Sequence, residues 1–480
     1  MKFTLDQIQS AMGAVGFLGD AEDVVPVGVQ TDSRVLKSGE LFFCISGERF
    51  DGHTFAKAAI EKGASAIVAE RPPFSMEEMM DMECSEGGVP LLMVQNSVAA
   101  LGRLAAFHRL QTDAVVTGIT GTAGKTTVKE LLAQVLSVRG ETARNHLNLN
   151  NQIGLPVSML AASGEEKYWV MEAGISQPQD MDELGSILRP DLAIVLNVGD
   201  GHTEGLGDKG VAFYKSELLK YIQQGGVGLV SEDYPDLKEA AAHKFDELRF
   251  FSSKNADAMY FAEYRGAVSD IQGRYHVSLR GREFDVTAPF RGAFAAENVI
   301  AVAAAADIIG LTSQEIIQGF AQATLPEKRL NCLQRGNWMI IDDCYNSNPL
   351  SCGRMLETAA ELAEDEPLVL VLGEMLELGE QAYEAHATLG EQICASGAEI
   401  VCWIGNNHNA VQAGLAKAGF TGEFHCVETP QHFYNLCKAF EVQHGTILFK
   451  GSRGNKIERF VSVFCDLCWT GKTTGITGAL

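Results

Sequence analysis

Residues 113–140 read DAVVTGIT, GTAGK and TTVKELLAQVLSVRG in succession. The first segment is an apolar, β-branched run typical of a buried strand, and the last has the apolar spacing of an amphipathic helix. Between them lies a glycine-rich turn that ends in Gly-Lys-Thr. Strand, turn and helix in this order are the context that a phosphate-binding loop requires. The segment therefore predicts a nucleotide-binding α/β domain.

The turn contains the groups that a triphosphate needs. Its glycines allow a sharp bend in which successive N–H groups face one concavity. The lysine supplies a full positive charge at a helix N-terminus, and the threonine after it offers a hydroxyl to Mg²⁺. The predicted ATP-binding loop consists of Gly121, Thr122, Ala123, Gly124, Lys125, Thr126 and Thr127.

The glycine spacing departs from the usual phosphate-loop pattern, whose first glycine would fall at Ile119. The alternative is a tight glycine turn that carries a surface lysine, but the flanking strand and helix disfavour it. Gly471-Lys472-Thr473-Thr474 repeats the letters without a preceding buried strand or a following helix. We therefore expect no nucleotide site at residues 471–474.

Composition limits the class of protein. A chain of 480 residues with 46% hydrophobic and 21% charged residues suggests a globular protein of about two to four domains. The net charge of −24 argues against a nucleic-acid partner, which needs a clustered basic surface. The N-terminus lacks the pattern of a signal peptide, and no stretch approaches the roughly 20 apolar residues of a membrane span. We predict a cytoplasmic protein.

The eleven cysteines lie mostly inside apolar runs, which is typical of buried, reduced thiols. Cys465 and Cys468 form a single C-x-x-C pair with no second pair nearby. A zinc or redox site there is the less favoured alternative.

Strand-like and helical patterns alternate along the chain in three blocks, which predicts an α/β protein with mostly parallel sheets. Residues 1–110 form a small N-terminal α/β domain in this scheme. Residues 111–325 form the central phosphate-loop domain, and residues 326–470 form a C-terminal Rossmann-like α/β domain. Residues 471–480 are predicted to be a flexible tail.

Polar residues follow the other predicted strands, where ligands of parallel sheets gather. Glu172 ends one strand, and a second strand is followed by Asn197, Asp200, His202 and Glu204. A carboxylate and an imidazole beside a phosphate loop are suitable ligands for Mg²⁺ on ATP. Alternatively, Glu172 caps a helix and His202 bonds to a loop carbonyl.

Two further positions have competing interpretations. Asp342 and Asp343 end a strand of the third block, where one of them could meet the nucleotide or cap a helix. Lys215, on a predicted amphipathic helix, is by residue type alone a solvated lysine. These residues together indicate an ATP- and Mg²⁺-using protein without naming its reaction, and a phosphate-loop switch or regulatory ATPase remains the alternative from another class.

Several strings along nearly the whole chain resemble the Mur ligase family. The phosphate loop has that family's compact T-G-x-x-G-K-T form, which explains the unusual glycine spacing. The other matching strings are DSR (32–34), SGERFDGH (46–53), NLNN with IGLP (148–151 and 153–156), EAGISQP (172–178), DDCYNSNP (342–349), LGEMLELG (372–379) and KGSR (450–453).

The resemblance assigns roles to the nucleotide site. It implies that Lys125 and Thr126 hold the ATP phosphates. It also implies two Mg²⁺ ions, with Thr126, Glu172 and His202 as ligands. Lys215 matches a family lysine that CO₂ converts into a metal-bridging carbamate. The remaining nucleotide contacts implied are Asn298 at adenine and Arg329 and Asp343 at the ribose and phosphates.

The resemblance also implies three substrates, with ATP-dependent amide formation between a UDP-N-acetylmuramoyl-tripeptide and D-alanyl-D-alanine through an acyl phosphate in peptidoglycan synthesis. A sibling ligase for the third amino acid, or a folate polyglutamate ligase, is the nearest alternative, and a monomer is expected. Residues implied at the UDP-muramyl group are Ser33, Arg34, Arg49, Phe50, Asp51 and His53, with Asn148, Asn150 and Asn151 also at the substrate. Those implied near the dipeptide are Tyr345, Asn346 and Asn348.

Two positions depart from the family pattern. Lys328 stands beside Arg329, so either could meet the nucleotide, and Cys344 occupies a position where a small hydroxyl residue is common.

Overall fold

The structure, a computed structural model, consists of three α/β units, each built on its own sheet. No helix of the described part of the chain combines the length and apolarity needed to cross a bilayer. The described residues are 2–18, 24–47, 50–75, 78, 88–199, 206, 209–269, 271–325 and 331–470.

The N-terminal unit ends in a helix that packs against the central unit. Its elements are α1 (Leu5–Met12), β1 (Gly16–Leu18), β2 (Gly28–Gln30), β3 (Glu40–Phe43), a 3₁₀ helix (Gly52–Phe55), α2 (Ala56–Glu61), β4 (Ala66–Ala69), β5 (Leu91–Met93) and α3 (Ser97–Arg109). The sheet order is β1-β5-β4-β3-β2, with only the β1–β5 pair antiparallel. At the end of α3 the Arg109 guanidinium donates to the carbonyl of Leu188 and pairs with Asp191 at 2.9 Å.

The central unit contains the predicted phosphate loop between its first strand and helix. Its elements are β6 (Val115–Thr120), α4 (Lys125–Ser137), β7 (Thr142–Arg144), α5 (Gly154–Ala161), β8 (Tyr168–Glu172), α6 (Asp180–Leu188), β9 (Leu192–Val195), α7 (Gly210–Ser216), a 3₁₀ helix (Glu217–Tyr221), β10 (Val227–Ser231), α8 (Pro235–Ala242), β11 (Leu248–Ser252), β12 (Tyr260–Ala267), β13 (Gly273–Leu279), β14 (Arg282–Ala288), a 3₁₀ helix (Ala293–Ala295), α9 (Ala296–Ile309) and α10 (Ser313–Gln322).

The central sheet has the order β14-β13-β12-β11-β10-β9-β6-β8-β7. The seven neighbouring strands from β7 through β6 to β12 are parallel, which confirms the predicted mostly parallel sheet. The antiparallel edge formed by β12, β13 and β14 was not predicted. Alternate residues of β8 enter different cores, since Trp169 packs in one layer and Val170 in the other. Helices therefore cover both faces of this sheet.

The C-terminal unit is a second parallel sheet with one antiparallel edge strand. Its elements are β15 (Asn331–Arg335), β16 (Trp338–Asp343), α11 (Pro349–Ala363), β17 (Leu368–Gly373), a 3₁₀ helix (Gly379–Gln381), α12 (Ala382–Ala395), β18 (Ile400–Ile404), α13 (His408–Ala418), β19 (Glu423–Cys426), α14 (Pro430–Ala439), β20 (Gly445–Lys450), a 3₁₀ helix (Arg453–Asn455) and α15 (Glu458–Thr470). The order is β15-β16-β20-β17-β18-β19, and only the β15–β16 pair is antiparallel. The three-domain α/β class predicted from sequence is thus confirmed.

The sheet order determines where the site forms. Strand β6 lies between β8 and β9 and is parallel to both, so the carboxyl ends of the three strands meet at one edge. The phosphate loop follows β6, Glu172 ends β8, and Asn197 follows β9. Helix α11 of the C-terminal unit approaches the same edge, because its capping residue Asn348 donates to the carbonyl of Thr122 at 3.4 Å.

We expect Gly414→Ala to destabilise the C-terminal unit. A Cβ at this position of α13 would lie 1.9 Å from the carbonyl oxygen of Ala387 in α12, so the two helices would have to separate. Overpacking of this kind costs about 1–3 kcal/mol. Thermal unfolding followed by circular dichroism measures the loss. Gly353→Ala is the matched control, because its Cβ would meet only the mobile end of Gln392, and an equal midpoint for both variants would contradict the prediction.

Candidate active site

Gly124 gives the phosphate loop its sharp turn. Its φ of 81° lies in the left-handed region, and a Cβ there would be 2.5 Å from Oδ1 of Asn298. Only glycine combines that backbone angle with so close an approach. Helix α4 begins at the next residue, Lys125, so its unsatisfied N–H groups point into the loop.

Asn197 fastens the loop from the neighbouring strand. Its Oδ1 accepts the Ala123 N–H at 2.8 Å, and its Nδ2 donates to the Ala123 carbonyl at 3.1 Å. The carbonyl of Asn197 also accepts the Thr122 N–H at 3.1 Å. Asn197 is fully buried, so these bonds do not compete with water.

Lys125 lies over the loop that it follows in sequence. Its ammonium donates to the carbonyl of Gly121 at 2.8 Å, and the side chain is half-buried. The cation therefore stands within the concavity in which loop N–H groups and the α4 N-terminus create a positive potential.

Glu172 receives a hydrogen bond from the threonine of the loop. The Thr126 hydroxyl donates to one carboxylate oxygen at 2.7 Å, and Nδ2 of Asn150 donates to the other at 2.7 Å. The alternative in which Glu172 caps a helix is not what the structure shows. A hydroxyl and a carboxylate side by side form a hard-oxygen pair of the kind that Mg²⁺ prefers.

A second asparagine near Glu172 was missed in the sequence. Asn145 accepts the Glu172 N–H at 2.6 Å and donates to its carbonyl at 3.2 Å. The carbonyl of Asn145 in turn accepts from the fully buried ammonium of Lys129 at 2.7 Å. The Lys129 position on α4 carried no signal for this role, since a lysine in an amphipathic helix is usually solvated.

Lys215 is buried, with 1% of its surface exposed, so the expectation of a solvated lysine based on residue type is wrong. Burial lowers the pKa of its amine well below the ordinary value, and the charge of Lys125 lowers it further, against the opposing effect of Glu172. A lower pKa increases the unprotonated fraction of the amine, which is the nucleophilic form.

Asn298 has a carbonyl oxygen that is buried and has no hydrogen-bond partner among the described residues. It lies at the start of α9 and directly beside Gly124. An orphaned buried acceptor is costly unless a ligand satisfies it. Its position beside the loop therefore fits the amino group of a bound nucleotide.

Neither of the two aspartates at the end of β16 caps a helix. Asp343 pairs with the buried ammonium of Lys450 at 2.6 Å, and Asp342 accepts the Cys344 N–H at 3.3 Å. The N-cap of the following helix is Asn348, so neither aspartate takes that rival role.

The residues predicted for the dipeptide lie between this strand end and the phosphate loop. The guanidinium of Arg453 lies 5.8 Å from the centre of the Tyr345 ring. Asn346 and Asn348 line a cavity of about 90 Å³. Asn348 also contacts the phosphate loop through Thr122.

The predicted N-terminal residues divide into two groups. His53 is buried and uses both ring nitrogens internally, with Nδ1 at 2.7 Å from Asp51 and Nε2 accepting the Glu70 N–H at 3.1 Å. Asp51 also pairs with Arg71. The hydrogen bond with His53 lowers the pKa of the Asp51 carboxyl. Both residues hold the loop that carries Phe50, whose side chain is 73% exposed.

Ser33 and Arg34 lie in another loop of the same unit, and Arg34 pairs with Asp32 at 2.7 Å. Of the central-unit candidates, Asn151 accepts the N–H of Gly154, the first residue of α5, at 2.9 Å, and Asn148 is exposed. The structure therefore brings only Asn150 of this group into contact with the metal-ligand candidate Glu172.

Three predicted site residues, Arg49, His202 and Arg329, lie outside the described residues. Asp200, Glu204, Lys328 and residues 471–474 also lie outside them. Within the described ranges no three His, Cys, Asp or Glu side chains form a cluster that could hold a metal ion. The described groups that fit Mg²⁺ are the Thr126 hydroxyl and the Glu172 carboxylate.

The fold and the phosphate loop define a nucleotide-binding α/β protein of three units. Family models match the chain in the same order: "Mur ligase family, catalytic domain" over residues 27–109, "Mur ligase middle domain" over 119–306, and "Mur ligase, glutamate ligase domain" over 328–453. The UDP-N-acetylmuramoyl-tripeptide–D-alanyl-D-alanine ligase of Escherichia coli (strain K12) is 32% identical over 451 residues, which cover 92% of this chain and 94% of that protein. The chain belongs to the Mur ligase family.

Solved structures agree with this assignment. A crystal structure of MurF from Acinetobacter baumannii is 28% identical, with a TM-score of 0.82 and coverage of 98% of this chain and 99% of that one. MurF ligase from Thermotoga maritima, in complex with ADP, is 25% identical, with a TM-score of 0.80 and coverage of 94% and 100%. A folylpolyglutamate synthase of Mycobacterium tuberculosis shares the fold alone, at 15% identity and a TM-score of 0.62 over 76% of this chain and 94% of that one.

We expect Gly124→Ala to weaken nucleotide binding at least tenfold. The new Cβ would meet Asn298 at 2.5 Å in a left-handed backbone, so the loop must shift away from its phosphate-binding geometry. Calorimetric titration with Mg-ADP measures the dissociation constant. Gly225→Ala is the matched control, because its φ is 84° but nothing lies within 4 Å of its Cβ. Equal affinities for the two variants would show that this contact does not shape the loop.

Proposed function

We propose that this protein forms an amide bond between a UDP-N-acetylmuramoyl-tripeptide and D-alanyl-D-alanine, with ATP as the energy source. The observation that carries the proposal is the hydrogen bond from Asn348 to Thr122, which joins the C-terminal unit to the phosphate loop. Through this contact the small polar cavity of the C-terminal unit lies next to the place where ATP phosphates would bind. A ligase needs that proximity, since the activated acid and the attacking amine must meet.

The cavity suits a small zwitterion such as a dipeptide. The cavity lining includes a guanidinium, which can pair with the carboxylate of a dipeptide. It also includes carbonyl and carboxylate oxygens, which can accept from the ammonium of a dipeptide. The residues that line it are Asn346, Ser347, Asn348, Leu376, Glu377, Ser452, Arg453 and Gly454. We propose that D-alanyl-D-alanine binds here.

The reaction begins with ATP at the phosphate loop. An oxygen of the tripeptide's terminal carboxylate attacks the γ-phosphorus, the bond to the ADP oxygen breaks, and an acyl phosphate forms. The amine of the dipeptide then attacks the acyl carbon, its nitrogen loses one proton to solvent, and phosphate leaves with the bonding electrons. Asn197 holds the loop in shape, and Lys125 and the N–H groups at the start of α4 stabilise the charge on the transferring phosphoryl group.

We also propose two Mg²⁺ ions held by Thr126, Glu172, His202 and a modified Lys215. Bound Mg²⁺ supplies charge neutralisation for the phosphates. The neutral amine of Lys215 adds to the carbon of CO₂ and loses one proton, which gives a carbamate with a single negative charge. The burial of Lys215 supports this step, because an ammonium has no lone pair to react.

The UDP-muramyl end is assigned to the N-terminal unit. Ser33, Arg34, Arg49 and Phe50 are proposed to contact it, while Asp51 and His53 hold the loop in shape. The proposal includes a monomer that works in the cytoplasm, where ATP and UDP-linked sugars are available.

Acceptor choice tests the function. We expect phosphate release from ATP only when both UDP-N-acetylmuramoyl-tripeptide and D-alanyl-D-alanine are present, since the acyl phosphate needs a carboxylate and an amine. The measurement compares D-alanyl-D-alanine with meso-diaminopimelate, lysine and glutamate by phosphate release and mass spectrometry of the product. Activity with a single amino acid only would identify a sibling ligase, and release without any acceptor would identify an ATPase.

We expect Lys215→Ala to reduce kcat at least a hundredfold and to leave the fold intact. Added short-chain carboxylates should restore part of the activity, because they can occupy the position of the carbamate. Lys209→Ala, at the N-cap of the same helix, is the control and should keep normal activity without rescue. Near-normal turnover of the Lys215 variant without added carboxylate would refute the carbamate.

A further inference from the structure

An ion pair joins the C-terminal unit to the central unit beside the phosphate loop. Arg354 of α11 contacts Glu297 of α9 at 2.7 Å, and it also donates to the hydroxyl of Tyr234. Glu297 is 3% exposed in its side chain and Arg354 16%. The pair is therefore shielded from water, which makes each charge dependent on the other.

The same carboxylate oxygen of Glu297 accepts a second hydrogen bond. Nδ2 of Asn197 donates to it at 2.9 Å, and this is the amide that fastens Ala123 of the phosphate loop. An ionised carboxylate can only accept hydrogen bonds, and of the two ends of the Asn197 amide only Nδ2 can donate, so Glu297 determines which end faces it. The Oδ1 atom is thereby directed at the Ala123 N–H.

Helix α11 contacts the loop at a second point. Its capping residue, Asn348, donates to the carbonyl of Thr122 at 3.4 Å. Asn348 and Arg354 belong to one helix, so both contacts form or break together when the C-terminal unit moves. None of the reaction steps above uses Arg354 or Glu297.

Loss of Arg354 would change Glu297 directly. Burial raises the pKa of Glu297, and Arg354 and Asn197 oppose that rise. Without the guanidinium the buried carboxylate would have no cation, so it would take up a proton or move toward water. Movement toward water removes the acceptor that orients Asn197, and protonation weakens it, because a neutral carboxyl accepts a weaker hydrogen bond than a carboxylate does.

We propose that Arg354 is a positioning residue of the phosphate loop, acting through Glu297 and Asn197 on Ala123. Docking of the C-terminal unit thereby sets the geometry in which the loop binds nucleotide. The inference rests on the proposed function only in taking ATP as the ligand of this loop.

The test measures Mg-ADP binding by calorimetric titration for the full chain. We expect Arg354→Met to raise Kd about tenfold, equivalent to about 1.4 kcal/mol. The control is Arg139→Met, which breaks another arginine–glutamate pair, with Glu315. Among the described residues no chain of side-chain hydrogen bonds leads from that pair to Ala123. The Arg139→Met variant should keep Kd within about twofold of the wild type.

Two further variants separate positioning from packing. Arg354→Lys keeps a cation for Glu297 and should restore Kd to within about threefold of the wild type. The double variant Glu297→Gln with Arg354→Met should do the same, because a neutral amide oxygen accepts from Asn197 without a counter-ion. Thermal unfolding of each variant shows whether the fold is intact, and small-angle scattering should show a larger radius of gyration for Arg354→Met alone.

Wild-type affinity in Arg354→Met would overturn the inference, as would equal weakening in Arg354→Met and Arg354→Lys. If Arg354→Met does not fold, Arg354→Gln takes its place, because it also removes the cation, and the same rise in Kd of about tenfold is expected. Binding of Mg-ADP does not require amide formation. A wild type that binds Mg-ADP but makes no amide would therefore overturn the proposed function alone.

Discussion

The hydrogen bonds between the Asn197 amide and the Ala123 peptide determine the shape of the phosphate loop. They exist because β6 and β9 are adjacent and parallel, so the residues after the two strands meet at one edge. A buried amide that bonds to both the N–H and the C=O of one residue fixes the two peptide groups on either side of that residue. The loop N–H groups that would meet phosphate are oriented by the same bonds.

Several charged side chains around this loop are buried, so their neighbours in the protein determine their properties more than solvent does. Glu172, Lys215 and Glu297 are each almost completely buried within reach of the loop. Each has a different outcome: Glu172 is held by two donors, Lys215 has a depressed pKa, and Glu297 is balanced by a guanidinium from another unit. In a protein interior such differences give neighbouring charged groups different chemical properties, and the separate roles proposed for these three residues depend on them.

The contacts between the three units also depend on largely buried polar and charged side chains. Arg109 ties the N-terminal unit to the central one through backbone carbonyls and Asp191, at a distance from the loop. Arg354 and Asn348 tie the C-terminal unit to the central one at the loop itself. The first contact holds two units together, while the second joins the unit that contains the cavity lined by Asn346 and Asn348 to the phosphate loop.

The sequence alone determined the local features. The β-branched run, the glycines and Gly-Lys-Thr predicted the phosphate loop, and the alternation of strands and helices predicted three α/β units, because these signals depend on neighbours along the chain. Tertiary structure alone decided that Lys215 is buried, that Asn145 supports Glu172, and that Arg354 reaches Glu297 across 57 positions of sequence. Burial and long-range pairing depend on which elements pack together, and no local pattern of residue types records that.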